Sequence, residues 1–119
     1  MTAPSTPLEV VQHLSTLTGE LRDKTTQYRH AELDMVTKRH AADMCEARAY
    51  LRAGGPVEER KRKASTHAEL EENAALVAEA LVRVLKAEIR QIETRIEVGR
   101  SYGATVRAEF KVLDYQGAP

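Results

Sequence analysis

The chain has no tryptophan, one phenylalanine and one cysteine in 119 residues, and four tyrosines complete its aromatic content. Much of its 42% hydrophobic fraction is alanine, which fills little volume. A thick core enclosing a substrate is not expected from such residues; helices meeting along narrow seams are. One cysteine excludes an intramolecular disulfide and a cysteine-based zinc site, and it fits a reducing compartment. No apolar run approaches the roughly 18 residues needed to span a bilayer. The N-terminus shows no basic start followed by an apolar stretch, so no secretory signal is expected. These absences point to a cytoplasmic protein without a membrane role. Neither sign of charge dominates, with 18 Lys+Arg against 18 Asp+Glu. A chain of this length suits one domain.

What is present is helical periodicity. Residues 1–6 carry little to bury and read as a disordered tail. Thr6, Pro7 and Glu9 then form a helix start: the hydroxyl caps an open amide, proline suits the first turn, and the glutamate reaches back. From Val10 the spacing alternates four and three through Leu14, Leu17, Leu21, Lys24, Tyr28, Ala31, Met35, Lys38, Ala42, Cys45, Ala49 and Arg52. Only Lys24, Lys38 and Arg52 break the apolar row, and they recur every fourteen residues. One helix is predicted over 7–53, about 70 Å long.

Gly54-Gly55-Pro56 ends it, because glycine accepts the left-handed turn and proline cannot continue the ladder. A basic turn is predicted over 54–66, within which Pro56, Val57, Glu58 and Glu59 suit the opening of a short helix. Thr66-His67-Ala68-Glu69 repeats the capping pattern and opens a second helix over 67–114, with 115–119 frayed. Its seam runs Ala75, Ala78, Val82, Leu85, Ile89, Ile92, Ile96, Gly99, Gly103, Val106, Phe110 and Leu113 without a polar residue. A flanking row of Leu70, Val77, Leu81 and Val84 widens the apolar face.

Two matched helices joined by a short turn predict an all-α fold: a long antiparallel, coiled-coil-like two-helix hairpin over 7–114. Such a unit buries limited area, so assembly into a homo-oligomer is expected. The residues expected at that interface are Val82, Leu85, Ile89, Ile92, Ile96, Gly99, Gly103 and Val106. Gly99 and Gly103, one turn apart, either let another backbone approach closely or mark a weak point in the helix.

No constellation in the chain reads as catalytic. Gly99-Arg100-Ser101-Tyr102-Gly103 spells the nucleophile elbow of serine hydrolases, but that motif needs a strand before it and a sheet to mount it on. His13, His30, His40 and His67 make no pair at metal-ligand spacing, so no metal or cofactor is expected. Cys45 falls on the first seam as a small buried hydrophobe. Gly54-Gly55 lacks the rest of a phosphate loop.

Arg60-Lys61-Arg62-Lys63 stands above this background. Four adjacent cations at a hairpin tip repel one another unless an anion is near, and a ring of hairpins would multiply their potential. Phosphate binding is one reading. The other is a solvated turn neutralised by Glu58 and Glu59. Arg100, Arg107 and Lys111 form a second, weaker basic set, and Arg52 lies close to the turn in sequence. With so few aromatics, any grip on nucleic acid would be on its backbone.

Ala47-Arg48-Ala49-Tyr50-Leu51, the Gly-Gly-Pro turn with Glu59-Arg60-Lys61, Arg95-Ile96, and Gly99-Arg100-Ser101 leading to Arg107-Ala108-Glu109 together resemble small helical accessory proteins of tailed bacteriophages. More distantly, the layout is similar to the recombination mediator of T4-type phages. The resemblance implies a helical oligomer that binds single-stranded DNA and loads a recombinase onto strands covered by single-strand binding protein, in the host cytoplasm. Arg60, Lys61, Arg62 and Lys63 would then form the DNA-facing turn, helped by Arg52, Arg100 and Arg107. The expected function is therefore non-enzymatic: a DNA-binding accessory of recombination or replication. The alternative is a protein-interaction module, either a virion assembly factor or an inhibitor of a host protein.

Overall fold

The computed structural model describes residues 3–117 and is all-helical: α1 spans Pro7–Arg52, α2 Val57–His67 and α3 Glu69–Gly117, with no strand among the described residues. The first helix starts where the sequence predicts. Thr6 Oγ1 accepts the Glu9 backbone N–H at 3.2 Å. The returning bond goes one residue further back than a capping box requires, from the Ser5 N–H to Glu9 Oε2 at 2.9 Å. That backbone donor holds the Glu9 carboxyl below the usual carboxylate range. Residues 1, 2, 118 and 119 of the expected tails lie outside the described residues; α3 takes in 115–117 of the tail expected to fray.

The chain divides into two compact units. One comprises Met1–Thr25 with Ala87–Pro119, the other Thr26–Lys86. In the first, Leu17 (1% exposed), Ile92 and Ile96 form the core, with Leu14 and Leu21 packed on it. Gly99 and Gly103 are buried in the same seam. A Cβ on Gly99 would stand 2.9 Å from Leu14 Cδ2, and one on Gly103 2.7 Å from Val10 Cγ1. The glycines thus make room for side chains of α1 in the same chain. Phe110 and Leu113, predicted as seam, are exposed. Stepping on from the Val10–Gly103 contact, they lie past the start of α1 at Pro7. Lys24, an exception in the first row, has its Nζ 2.7 Å from Glu88 Oε2, as an ion pair without hydrogen-bond geometry.

In the second unit Ala31, Val82 and Leu85 form a cluster joined by Tyr28 and Met35. The other buried positions are small: Ala42, Ala64, Ala68, Ala75 and Ala78. Lys38 turns outward and pairs with Asp34 at 3.0 Å. Its neighbour Arg39 takes the inward edge, with Nη1 2.7 Å from Glu72 Oε2 and Nη2 2.8 Å from Glu79 Oε1. The two carboxylates hold the guanidinium further above its already high range.

The predicted basic turn over 54–66 is corrected here. Only Ala53 to Pro56 lie outside helices, with Gly55 in the left-handed region at φ 102°. From Val57 the chain is helical again, and Arg60 to Lys63 lie on α2. No proline or glycine lies between Val57 and Val98, lysine and arginine are good helix formers, and Glu58 and Glu59 sit in the first turn, where the helix dipole favours them. Thr66 is not a cap: its hydroxyl donates to the Arg62 carbonyl at 2.9 Å. The break between α2 and α3 is the single residue Ala68 (φ −92°, ψ 7°). It is bridged by bonds from the Ala68 N–H to Ala64 O and from the Glu72 N–H to Ala68 O.

Candidate functional site: the basic helix and the outer face of α3

The four cations expected to face DNA are distributed around α2, and three have local partners. Arg60 turns back toward α1, its guanidinium carbon 5.9 Å from the centre of the Tyr50 ring. Lys61 Nζ is 3.9 Å from Glu58 Oε1. Lys63 Nζ is 3.2 Å from Glu59 Oε1 and donates to the Gly54 carbonyl at 3.5 Å. These are the i,i+3 and i,i+4 pairs that a helix brings together, and a turn would not have aligned them. Neither Arg60 nor Arg62 has an acidic partner among the described residues; Arg62 borders an open depression with Lys63, Thr66 and His67.

Arg52, exposed in the last turn of α1, lines a different depression with Arg48, His40, Met44, Cys45 and Glu71. Glu71 Oε2 is buried there without a hydrogen-bond partner. Arg100 and Arg107 belong to the other unit and are exposed beside Pro7, Val10, Val11 and Leu14. The structure therefore gathers Arg52 and Arg60–Lys63 into one unit without joining them into a single cleft.

The row expected to meet another copy is placed inside the chain instead. Val82, Leu85, Ile92, Ile96, Gly99, Gly103 and Val106 are buried, and Ile89 is half-buried. Residues of α1 cover them, with Ala31, Tyr28 and Met35 in one unit and Val10, Leu14, Leu17 and Leu21 in the other. Among the apolar residues that α3 leaves in water are the flanking row, Leu70 79% exposed, Val77 70%, Leu81 47% and Val84 52%, and Leu76 and Val98 outside it. Scattered exposed apolar residues are ordinary, whereas a larger contiguous patch is the kind of surface that partners use.

Ser101 lies exposed within α3, with no strand before it among the described residues. Among the described residues no group of three His, Cys, Asp or Glu side chains is placed to hold a metal ion, and no helix is long and apolar enough to cross a membrane. Sequence reasoning passed over Arg39, Glu72 and Glu79, which tie α1 to α3. The available signal was Arg39 lying one position after the seam residue Lys38, where a long cation can reach round the seam. Compared with protein-family models, curated proteins and solved structures, the chain matches none.

Proposed function

We propose that this chain is a non-enzymatic antiparallel helical hairpin that works by presenting its outer helix faces to protein, as an oligomer. The observation that carries the reading is the exposed stripe Leu70, Val77, Leu81 and Val84 on α3. Apolar side chains at four-three spacing on one helix face are what a partner helix packs against. The pairing of Lys61 and Lys63 with Glu58 and Glu59, and the turn of Arg60 toward Tyr50, weigh against α2 as a phosphate grip.

A second reading keeps the phage resemblance: a recombination or replication accessory that holds single-stranded DNA and works with a recombinase or single-strand binding protein. What favours it is that Arg62, Arg48 and Arg52, in the same unit, lack acidic partners among the described residues. Fluorescence anisotropy of a labelled single-stranded oligonucleotide, titrated across a salt series, separates the two. The protein-contact reading expects a flat titration at low salt. Binding that weakens with salt by roughly 0.7 log units per phosphate contacted per decade, and that disappears when Arg60, Lys61, Arg62 and Lys63 are all changed to Glu, transfers the function to DNA.

A further inference from the structure

In the unit of Met1–Thr25 with Ala87–Pro119, a groove of about 360 Å³ lies along one flank of the seam. That volume is within the range of about 300–1,000 Å³ typical of small-molecule sites. Ala3 and Pro4, ahead of the first helix start, form one wall. Val10 and His13 of α1 and Val98, Gly99 and Tyr102 of α3 form the others, mostly apolar. Arg95 is the only Lys, Arg, Asp or Glu side chain among the described residues that line it. Glu20 lies 3.7 Å from Arg95 and Glu9 accepts the Ser5 N–H, but neither borders the groove. At about 100° per residue, Glu93 and Glu97 lie about 130° or more from the middle of the groove's face on α3. The Tyr102 hydroxyl and the His13 ring have no hydrogen-bond partner among the described residues.

From this we infer that the groove binds a small organic anion, a carboxylate carried on a flat apolar body. Charge selects the anion, because the lining holds one guanidinium and no acid. The guanidinium fork matches a carboxylate, and the free Tyr102 hydroxyl and His13 ring supply further donors. The walls select the body: two rings, a proline and the aliphatic side chains of Val10 and Val98 suit a planar apolar group. The other depressions lack this combination. One sets Asp43 and Glu46 against Lys61, and another sets Arg48 and Arg52 against Glu71. The one beside Arg100 and Arg107 holds only about 120 Å³, and the one beside Arg62 and Lys63 has no apolar wall. The groove lies outside the unit that carries the Leu70–Val84 stripe, so it is independent of the protein-contact reading.

The test is an NMR titration of the isotope-labelled full chain with two probes, naphthoate and its uncharged amide. Both are expected to shift the amides of residues 3–13 and 94–102 in a saturable way. Naphthoate is expected to bind roughly threefold to fivefold tighter than the amide, the worth of one half-exposed charge pair. Added salt narrows that difference. Arg95→Gln removes it and leaves binding of the amide unchanged. Val98→Glu sets a carboxylate in the wall and weakens naphthoate roughly tenfold. Because Val98 is 63% exposed, helicity by circular dichroism is expected to stay unchanged. The inference is overturned by the absence of saturable shifts at millimolar probe, by equal affinity for the two probes, or by shifts centred on Leu70–Val84. A preference for naphthoate that survives Arg95→Gln with helicity intact overturns it as well. The comparison of the two probes on the unsubstituted chain needs no variant, so it decides the matter even if a substitution disturbs folding.

Discussion

The two units share one heptad-like pattern and fill it differently. Around Leu17, Ile92 and Ile96, branched aliphatic side chains supply the buried volume, and glycines opposite Val10 and Leu14 leave room for them. In the unit from Thr26 to Lys86 the buried positions are mostly alanine, with one cluster of Ala31, Val82 and Leu85 and a flanking tie from Arg39 to Glu72 and Glu79. Alanine faces permit close helix approach and contribute little transfer energy each. The second unit thus has less apolar burial inside the chain, and it is also where the exposed stripe lies.

Two substitutions test the contrast from opposite sides. Leu17→Ala opens a cavity in the aliphatic core and is expected to cost about 3 kcal/mol in denaturant unfolding. A loss below about 1 kcal/mol would mean that α1 and α3 close over the gap, and that this core is as loosely specified as an alanine seam. Ala78→Leu forces a large side chain into the other seam, which is expected to cost about 1–3 kcal/mol by overpacking. If the substitution stabilises instead, the alanine seam contains unfilled space and the two cores differ in packing quality as well as size.

The pattern of residues revealed the seams better than the joins. Every buried position from Val10 to Ala42 on α1 and from Ala75 to Val106 on α3 belongs to the four-three rows legible in the sequence. The rows were readable because helical periodicity reports directly which side chains face one way. It does not report what covers them, so the α3 row was assigned to a second copy when α1 of the same chain covers it. The α2 region was misread for a different reason. Thr66-His67-Ala68-Glu69 has the pattern of a capping box and set the second helix start after the four cations, but Thr66 lies inside α2 with its hydroxyl on the Arg62 carbonyl, and Glu58 and Glu59 lie at helical spacing from Lys61 and Lys63. Of the candidate site residues, Arg52, Arg62, Arg100 and Arg107 are exposed; Arg60 lies against Tyr50, a contact between α2 and α1 that no local spacing encodes.

Smaller effects are expected at the helix starts. Thr6→Ala removes the acceptor for the Glu9 N–H and is expected to cost about 1 kcal/mol, read as a shift in the denaturation midpoint. Glu9 adds a pH signature. Its carboxyl is held below the usual range chiefly by the Ser5 N–H, so its contribution is fully present above the unfolded pKa and is lost as pH falls through the lower folded value. Glu9→Gln is expected to flatten that part of the acid limb and leave stability at neutral pH less dependent on the Ser5 contact. An acid limb identical in the two proteins would remove Glu9 from the account of the first helix start.

Thr66→Ala is the least disruptive of the set and the sharpest test of the α2–α3 join. A threonine capping a new helix would lose about 1 kcal/mol on this change. Here Thr66 lies inside α2, exposed, with its hydroxyl donating to the Arg62 carbonyl. Such a bond satisfies a carbonyl already used by the helix, and alanine has the higher helix propensity. The expected change is therefore within about 0.5 kcal/mol of zero. A loss of about 1 kcal/mol would mean that the hydroxyl accepts from a backbone N–H at the start of α3. In that case Ala68 would be a true helix end, α2 would be a separate element, and the basic residues would again belong to a connection between two helices.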